Sequence, residues 1–464
     1  MPQSYRRSAL YTLISVFFFW GFVAASNTIL IPLFKQYFEL TQAQSQLVDF
    51  AFYAAYFVGS LLYFVISLSA GDPLNKIGYK KGLVLGLLIS AVGAAGMVPA
   101  ATEQSFVLML AALFVIGLGF ALQQIVANPY VIALGDPGTG AYRASFAQGV
   151  NSFGTTIGPL VLGVAIFGTI DTGGVDAPLE AVRAPYIVLA VAFVLFALLM
   201  GVSKLPPITV DAPKERSLGA LRYPQLLLGM LAIFVYVGTE VAIQSNLPEL
   251  MRQPQILGLP AEHTSHFISL YWGGLMIGRW AAAVTVFNLK GTARNVATVI
   301  VPLLAYGVVL AVNAIKGSPM GDLILYAPAV LLLIVGFFLA QEKPARTMML
   351  FGGAGAALML CGLMTDGRVA LYSFVAGGLF CSIMWPCIFA LSIAGLGKYT
   401  NQGSSLLVMM ILGGALIPPL QGLLADSISI HTSYIVPLVG FLYLSVYGVL
   451  VGRVLMKQEV EYGG

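Results

Sequence analysis

The sequence predicts an all-α polytopic membrane protein, and three observations support this fold class. Hydrophobic residues make up 59% of the 464 residues, whereas charged residues make up only 9%. The mean hydropathy is strongly positive. Apolar runs long enough to cross a bilayer as helices, about 20 residues each, recur along the chain. A soluble protein of this length would need far more charge to cover its surface.

The apolar runs follow one another from the N-terminus. The first comes after a short basic start with Arg6 and Arg7, and it is too long for the apolar part of a signal peptide. The predicted spans are 9–34, 45–70, 79–100, 105–134, 143–170, 183–203, 222–248, 262–289, 294–315, 319–340, 345–364, 367–397, 403–428 and 432–455. We therefore expect about 14 membrane helices.

A polar linker divides these spans. We predict an N-terminal six-helix bundle over 1–203, a cytoplasmic linker over 204–221 and a C-terminal bundle over 222–464. When the spans alternate, most of the 23 Lys and Arg residues fall on the side that holds the N-terminus. The positive-inside rule then predicts a multi-pass protein of the inner, cytoplasmic membrane, with both termini in the cytoplasm.

The two bundles show traces of an internal repeat. Gly21 and Gly238 match at an offset of about 217 residues, whereas Gly154 and Gly414 match at about 260. The increase is about the length of two membrane helices with tight turns. We therefore predict a parallel duplication of six spans with an extra helix pair inserted at 294–340. In transporters of that architecture the substrate binds near the midplane between the halves.

Two acidic residues, Asp49 and Glu240, lie inside predicted spans. A carboxylate in a membrane helix costs roughly 2.5 kcal/mol or more and marks an ion or substrate path by default. Asp49 shares a helix face with Tyr53 and Tyr56, which indicates a cation-coupling carboxylate or a structural acid bonded to tyrosine. Glu240 shares a face with Gln244, and it is a candidate sugar or proton contact. The competing interpretation of Glu240 is an ion pair with Arg279.

Amide and aromatic side chains accompany these acids. The amides Asn27, Gln124, Gln148 and Asn151 offer both donors and acceptors, as a polyhydroxylated ligand requires, although each could simply join two helices. Trp272 and Trp385 could stack on the apolar face of a sugar. We find no phosphate-binding loop, no nucleophile–base set and no metal constellation, so we expect neither an enzyme nor a bound cofactor.

Several segments resemble the major facilitator superfamily and, within it, the fucose–galactose–glucose symporter family. The matching segments are 17–22 (FFFWGF), 51–60 (AFYAAYFVGS), 77–80 (IGYK), 127–130 (ANPY), 146–148 (FAQ), 271–274 (YWGG) and 382–386 (SIMWP). The resemblance implies two six-helix bundles and alternating-access sugar uptake driven by a cation gradient.

The chain departs from that family at informative positions. The superfamily's loop motif after the second span usually has an aspartate where this chain has Asn75, with Asp72 nearby as a possible substitute. In the fucose–proton symporters, acids of the first and fourth spans are associated with proton coupling. The matching positions here are Thr28 and Gln124, which do not titrate near neutral pH.

We therefore predict a cation-coupled monosaccharide transporter, for a glucose- or galactose-like sugar, with sodium favoured over the proton and bound at Asp49. The predicted sugar-site residues are Asn27, Gln124, Gln148, Asn151, Glu240, Gln244, Trp272 and Trp385. A proton symporter, a uniporter and a non-transporting receptor or scaffold are the alternatives. The expected partners are a small sugar and membrane lipid, with no nucleic acid, and the chain is expected to be a monomer.

Overall fold

The structure is a computed structural model that describes residues 3–26, 30–40, 47–135, 139–167, 178–206, 218–259, 264–287 and 289–460. The described chain is helical throughout, which confirms the all-α prediction. The α-helices are α1 (Gln3–Ser26), α2 (Leu30–Tyr37), α3 (Leu47–Ala70), α4 (Pro73–Ile77), α5 (Tyr79–Thr102), α6 (Phe106–Ala133), α7 (Gly140–Phe167), α8 (Arg183–Val202), α9 (Pro224–Arg252), α10 (Ser265–Ala283), α11 (Gly291–Ile315), α12 (Met320–Ile324), α13 (Ala327–Ala340), α14 (Pro344–Leu363), α15 (Gly367–Val375), α16 (Gly377–Cys381), α17 (Met384–Ile393), α18 (Thr400–Met409), α19 (Gly413–Ser427) and α20 (Ile435–Lys457).

The protein is a multi-pass membrane protein. Within the described residues, 12 helical segments are long and apolar enough to cross a membrane. They are Ser8–Ala25, Phe50–Ala70, Tyr79–Thr102, Phe106–Ala133, Leu179–Val202, Pro224–Arg252, Gly291–Ile315, Met320–Ala340, Pro344–Leu363, Gly367–Ile393, Gly397–Ser427 and Thr432–Lys457. This count does not include α7 and α10, so it does not confirm the prediction of about 14 spans.

These helices are apolar on both their buried and their exposed faces. In α8, Phe193 is fully buried whereas Leu195 and Leu198 are more than half exposed. A helix with this composition would aggregate in water, but lipid solvates its outer face while its backbone groups bond internally.

Small residues allow close packing between helices. A Cβ atom added to Gly93 of α5 would lie only 2.5 Å from the backbone nitrogen of Ile116 in α6. The nearby Ser90 hydroxyl donates a hydrogen bond to the Ile116 carbonyl at 3.1 Å. Close backbone approach and short polar bonds are the means by which membrane helices associate, because lipid removes most of the hydrophobic driving force.

The chain contacts divide the molecule into two compact units. Unit 1 comprises Met1–Gly135, Phe153–Tyr223 and Leu396–Leu412, and unit 2 comprises Asp136–Ser152, Pro224–Gly395 and Gly413–Gly464. Helix α7 therefore gives its first half to unit 2 and its second half to unit 1. The segment that contains α18 belongs to unit 1, whereas α19 belongs to unit 2. The segments 136–152 and 396–412 are related by the same offset, about 260 residues, as Gly154 and Gly414 of the internal repeat.

Candidate functional site

Glu240 lies on α9 in unit 2, where two tyrosines contact it. The Tyr236 hydroxyl, one turn earlier on α9, donates a hydrogen bond to the Glu240 carboxylate. The Tyr271 hydroxyl of α10 donates to the backbone carbonyl of Glu240 at 2.7 Å. The residue as a whole is partly buried, and a carboxylate can accept more hydrogen bonds than the one from Tyr236.

Trp385 completes this cluster. Its ring lies 6.4 Å from the Tyr236 ring, centroid to centroid, and the side chain is 8% exposed. The indole Nε1 is a buried donor for which the described residues provide no hydrogen-bond partner. An unpaired buried donor costs about 1–3 kcal/mol, so such a group is best explained by a ligand or water that accepts its hydrogen bond.

Arg279 is a buried cation, with only 7% of its surface exposed. Its Nε donates to the Ser382 carbonyl at 3.1 Å, and its Nη1 donates to the Ser152 hydroxyl at 2.5 Å. In a regular helix the Ser382 carbonyl would accept from the amide of residue 386, but that residue is Pro386, which has no N–H. The proline therefore frees the carbonyl that binds Arg279, and it accounts for the break between α16 and α17.

The first half of α7 packs on the same end of α10. Besides the bond from Arg279 to Ser152, Trp280 donates from Nε1 to the Gly149 carbonyl at 3.1 Å. Gln148 and Asn151 lie on this stretch of α7, where Gln148 is 8% exposed and Asn151 is half-buried. The structure thus brings two predicted amides into unit 2 together with Glu240 and Trp385.

The ion pair proposed as the competing role for Glu240 is not present. Among the described residues, no ion pair within 4.0 Å joins Arg279 to Glu240. Each has its own hydrogen-bond partners instead. The Glu240 carboxylate therefore remains available to a ligand.

Two further predicted site residues belong to unit 2. Gln244 lies one turn beyond Glu240 on α9, and Trp272 follows Tyr271 on α10, with their rings 5.9 Å apart. Both Gln244 and Trp272 are half-buried. They share helices with the Glu240 cluster, although no hydrogen bond described in the structure joins them to it.

Gln124 belongs to unit 1, where it meets neutral polar side chains. The indole of Trp20 donates to the Tyr56 hydroxyl at 3.3 Å, and that hydroxyl also pairs with Gln124. The neighbouring Gln123 instead donates to the Ser90 hydroxyl at 3.1 Å, which joins α6 to α5. The two adjacent amides thus differ, since Gln123 links helices and Gln124 (8% exposed) meets the aromatic interior.

Some predicted residues lie outside the part of the chain that the structure describes. Asn27 and Thr28 are not described, and neither is the side chain of Asp49, although its backbone lies in α3. The sodium hypothesis at Asp49 and the sugar contact of Asn27 therefore remain predictions from the sequence.

A second polar network lies in unit 1 at the loop after α3. The Asn401 amide of α18 donates to the Asp72 carboxylate at 2.8 Å and to the Asn75 side chain at 3.3 Å. Asp72 also accepts from the Tyr63 hydroxyl at 2.5 Å and caps α4 through the Leu74 amide at 2.9 Å. Asp72 therefore serves as the acid of this loop. The sequence suggested this role, because Asp72 lies near Asn75, the position where the superfamily motif usually has an aspartate.

Comparison with known proteins agrees with this architecture. Residues 12–341, well over half of the chain, match the Major Facilitator Superfamily. The protein belongs to the major facilitator superfamily. This membership confirms the resemblance seen in the sequence, and it confirms that the chain is not an enzyme.

Relatives within the superfamily span almost the whole chain. A glucose/galactose transporter of Brucella abortus (strain 9-941) is 36% identical over 447 residues, which cover 95% of this chain and 93% of that protein. The L-fucose-proton symporter of Escherichia coli (strain K12) is 27% identical and covers 94% and 91%, respectively. The crystal structure of the superfamily transporter FucP in the outward conformation is 25% identical, with a TM-score of 0.73, and covers 95% of this chain and 98% of that one.

The sequence did not indicate the groups that hold the candidate site together. Ser152 and Ser382 are unremarkable in a membrane helix, and Tyr271 was noted only as part of a matching segment. Pro386 was a usable signal, because a proline always frees the carbonyl four residues earlier. The sequence alone does not say which donor from another helix reaches that carbonyl.

Proposed function

We propose that the protein is a secondary active transporter of a monosaccharide that works by alternating access. The observation that supports this function most directly is the Glu240 cluster, in which Tyr236 bonds to the Glu240 carboxylate and its ring lies 6.4 Å from the ring of Trp385, whose indole N–H is unpaired among the described residues. A charged acceptor, an unsatisfied donor and aromatic faces are together suited to a neutral polyhydroxylated ligand. The glucose/galactose transporter that is 36% identical supports a hexose substrate.

In this proposal the sugar contacts polar and aromatic side chains predicted from the sequence. They are Glu240, Gln244, Gln148, Asn151, Trp272 and Trp385, together with Gln124 and Asn27. Glu240 accepts hydrogen bonds from sugar hydroxyls, and Trp385 supplies a donor together with a stacking face. The carrier acts as a monomer in lipid.

We further propose that uptake is coupled to a cation. The sequence favours sodium at Asp49, because hard carboxylate oxygens suit a hard cation and the acids of the fucose–proton carriers are replaced here. The relative named an L-fucose-proton symporter favours the proton. Both versions use an acid inside a predicted span, and they differ in which gradient drives uptake.

The membrane topology belongs to the same proposal. Helices α7 and α10 are 28 and 19 residues long, so each can cross a bilayer that needs roughly 17–25 residues. Counting them gives 14 spans, with 294–340 as an extra pair and bundles at 1–203 and 222–464 joined by a cytoplasmic linker over 204–221. Both termini then lie in the cytoplasm, and the protein resides in the inner membrane.

The decisive experiment is uptake of radiolabelled glucose, galactose and L-fucose into proteoliposomes, with sodium and proton gradients imposed separately. We expect concentrative hexose uptake that requires one of the two gradients. Uptake that follows sodium at fixed pH and is lost in Asp49→Asn supports the sodium version, whereas uptake that follows the pH gradient alone refutes it.

Two other outcomes overturn the proposal more broadly. Sugar flux that equilibrates but never concentrates under either gradient identifies a uniporter. Sugar binding without flux identifies a receptor-like protein. A matched control is Glu249→Gln, because Glu249 is an exposed acid on the same helix as Glu240, paired with Arg252.

A further inference from the structure

Arg279 makes contacts that sugar recognition alone does not require. A guanidinium presents five N–H donors. One reaches the carbonyl freed by Pro386, and another reaches the Ser152 hydroxyl on the first half of α7. Helix α10 therefore connects two partners, the interrupted helix α15–α17 and the segment 136–152.

The same helix also contacts Glu240. Tyr271, two turns before Arg279 on one face of α10, donates to the Glu240 backbone at 2.7 Å. The close approach of α10 to the α15–α17 helix depends on glycines, since a Cβ on Gly274 would lie 3.1 Å from the Leu379 amide nitrogen. The position of the Arg279 charge relative to Glu240 is thereby set by closely packed backbone.

Each of the two charges lowers the free-energy cost of burying the other, even without direct contact. A buried charge without a counter-charge is strongly unfavourable in a membrane interior. Arg279 and Glu240 lie on neighbouring helices, α10 and α9, which meet where Tyr271 bonds to the Glu240 backbone, and the hydrogen bonds of both charged groups go to neutral partners. A sugar or cation that arrives at Glu240 changes the field at Arg279.

We propose that Arg279 is a positioning residue that neutralises Glu240 and holds the segment 136–152 through Ser152, so that the state of Glu240 controls the position of α7. This inference rests on the proposed function, since it takes Glu240 as the sugar contact. Helix α7 is continuous from Gly140 to Phe167, so a restraint at Ser152 acts on the whole helix.

The test is a double-mutant cycle on Arg279→Gln and Glu240→Gln, measured on the purified full-length protein. The first readout is the thermal unfolding midpoint without sugar. The second is the affinity for the hexose that the wild type transports. We expect Arg279→Gln to weaken sugar binding roughly tenfold or more when Glu240 is present, and less than about twofold when residue 240 is already Gln. The unfolding midpoint should show the same non-additivity.

Three variants separate the charge from the anchoring contact. Arg279→Lys keeps the charge, so it should retain most of the sugar affinity while slowing net uptake. Ser152→Ala removes the hydroxyl that accepts from Arg279 while both charges stay in place, so affinity should change less than about threefold whereas uptake rate falls relative to equilibrium exchange. Trp280→Phe removes the neighbouring bond to Gly149 without touching any charge, and its effect should not depend on residue 240.

Additive effects in both readouts overturn the inference. So does a Trp280→Phe variant that reproduces the Arg279→Gln losses, because that result makes Arg279 merely a structural contact. If the wild type binds no sugar, the proposed function fails, and the unfolding cycle still decides whether the two charges are coupled.

Discussion

Two polar clusters, one in each unit, differ in charge. The cluster of unit 2 holds Glu240 and the buried Arg279, each with hydrogen-bond partners, whereas the cluster around Gln124 in unit 1 consists of the neutral side chains of Trp20, Tyr56 and Gln124. In both units, however, a proline frees a helix carbonyl that a side chain from another helix then binds. In unit 1 this carbonyl belongs to Ile125, freed by Pro129, and the Ser404 hydroxyl donates to it at 2.9 Å.

The difference indicates that the two clusters have different functional roles. A neutral cluster recognises hydroxyl groups by hydrogen bonding, whereas a charged cluster also responds electrostatically to a cation or proton, provided that its charges are compensated. We therefore expect changes in the Glu240 cluster of unit 2 to have the larger effect on ligand binding, and changes around Gln124 in unit 1 to act mainly on stability and fit. The proposed cation site at Asp49, which also belongs to unit 1, is tested separately by Asp49→Asn.

The largest expected effect comes from Glu240→Gln. Loss of the charged acceptor should weaken sugar binding by about 1.5–3 kcal/mol, because hydrogen bonds to charged groups contribute about that much. Equilibrium exchange of labelled sugar in proteoliposomes measures the effect. Glu249→Gln, which changes an exposed acid of the same helix, should remain within about twofold of wild type. Equal losses of sugar binding in the two variants would show that Glu240 has no special role.

A change at the α10 contact should act on stability. A Cβ on Gly278 would clash with the Ser382 side chain, so Gly278→Ala should lower the free energy of unfolding by about 1–3 kcal/mol. Gly307→Ala is the control, since no heavy atom lies within 4 Å of the added Cβ. Thermal unfolding in detergent compares the two variants, and matched midpoints would contradict the packing described here.

Ser404→Ala tests the corresponding contact in unit 1. It leaves the Ile125 carbonyl without its hydroxyl donor, and it should cost about 1 kcal/mol of stability with sugar affinity unchanged. The control is Ser427→Ala, an exposed serine that bonds only within its own helix. A marked loss of sugar affinity in Ser404→Ala would show that this unit also controls the site.

The smallest effect is expected for the adjacent amides of α6. Gln123→Ala should reduce stability by about 0.6 kcal/mol through the lost bond to Ser90, and it should leave sugar binding intact. Gln124→Ala should instead weaken sugar binding a few-fold, about the loss of one neutral hydrogen bond, at little cost in stability. The reverse pattern would exchange the roles assigned to these two residues.

The composition and the spacing of apolar residues were sufficient to predict the fold class and the positions of many helices. The apolar runs predicted helices whose bounds agree closely with the structure, as in the predicted span 79–100 and the observed Tyr79–Thr102. The stripe Tyr236–Glu240 was predictable as well, because a four-residue spacing places both side chains on one helix face. These features depend on local geometry, which the chain determines residue by residue.

The partners of the charged groups were decided only by tertiary structure. From the sequence, Glu240 and Arg279 were two opposite charges that could pair directly. In the packed helices, Arg279 instead donates to Ser152 and Ser382, and the Glu240 carboxylate accepts from Tyr236. Which helix lies beside which is a long-range property. Glycines that allow close approach and prolines that free carbonyls mark where a contact can form, and only the assembled helices determine which side chain makes it.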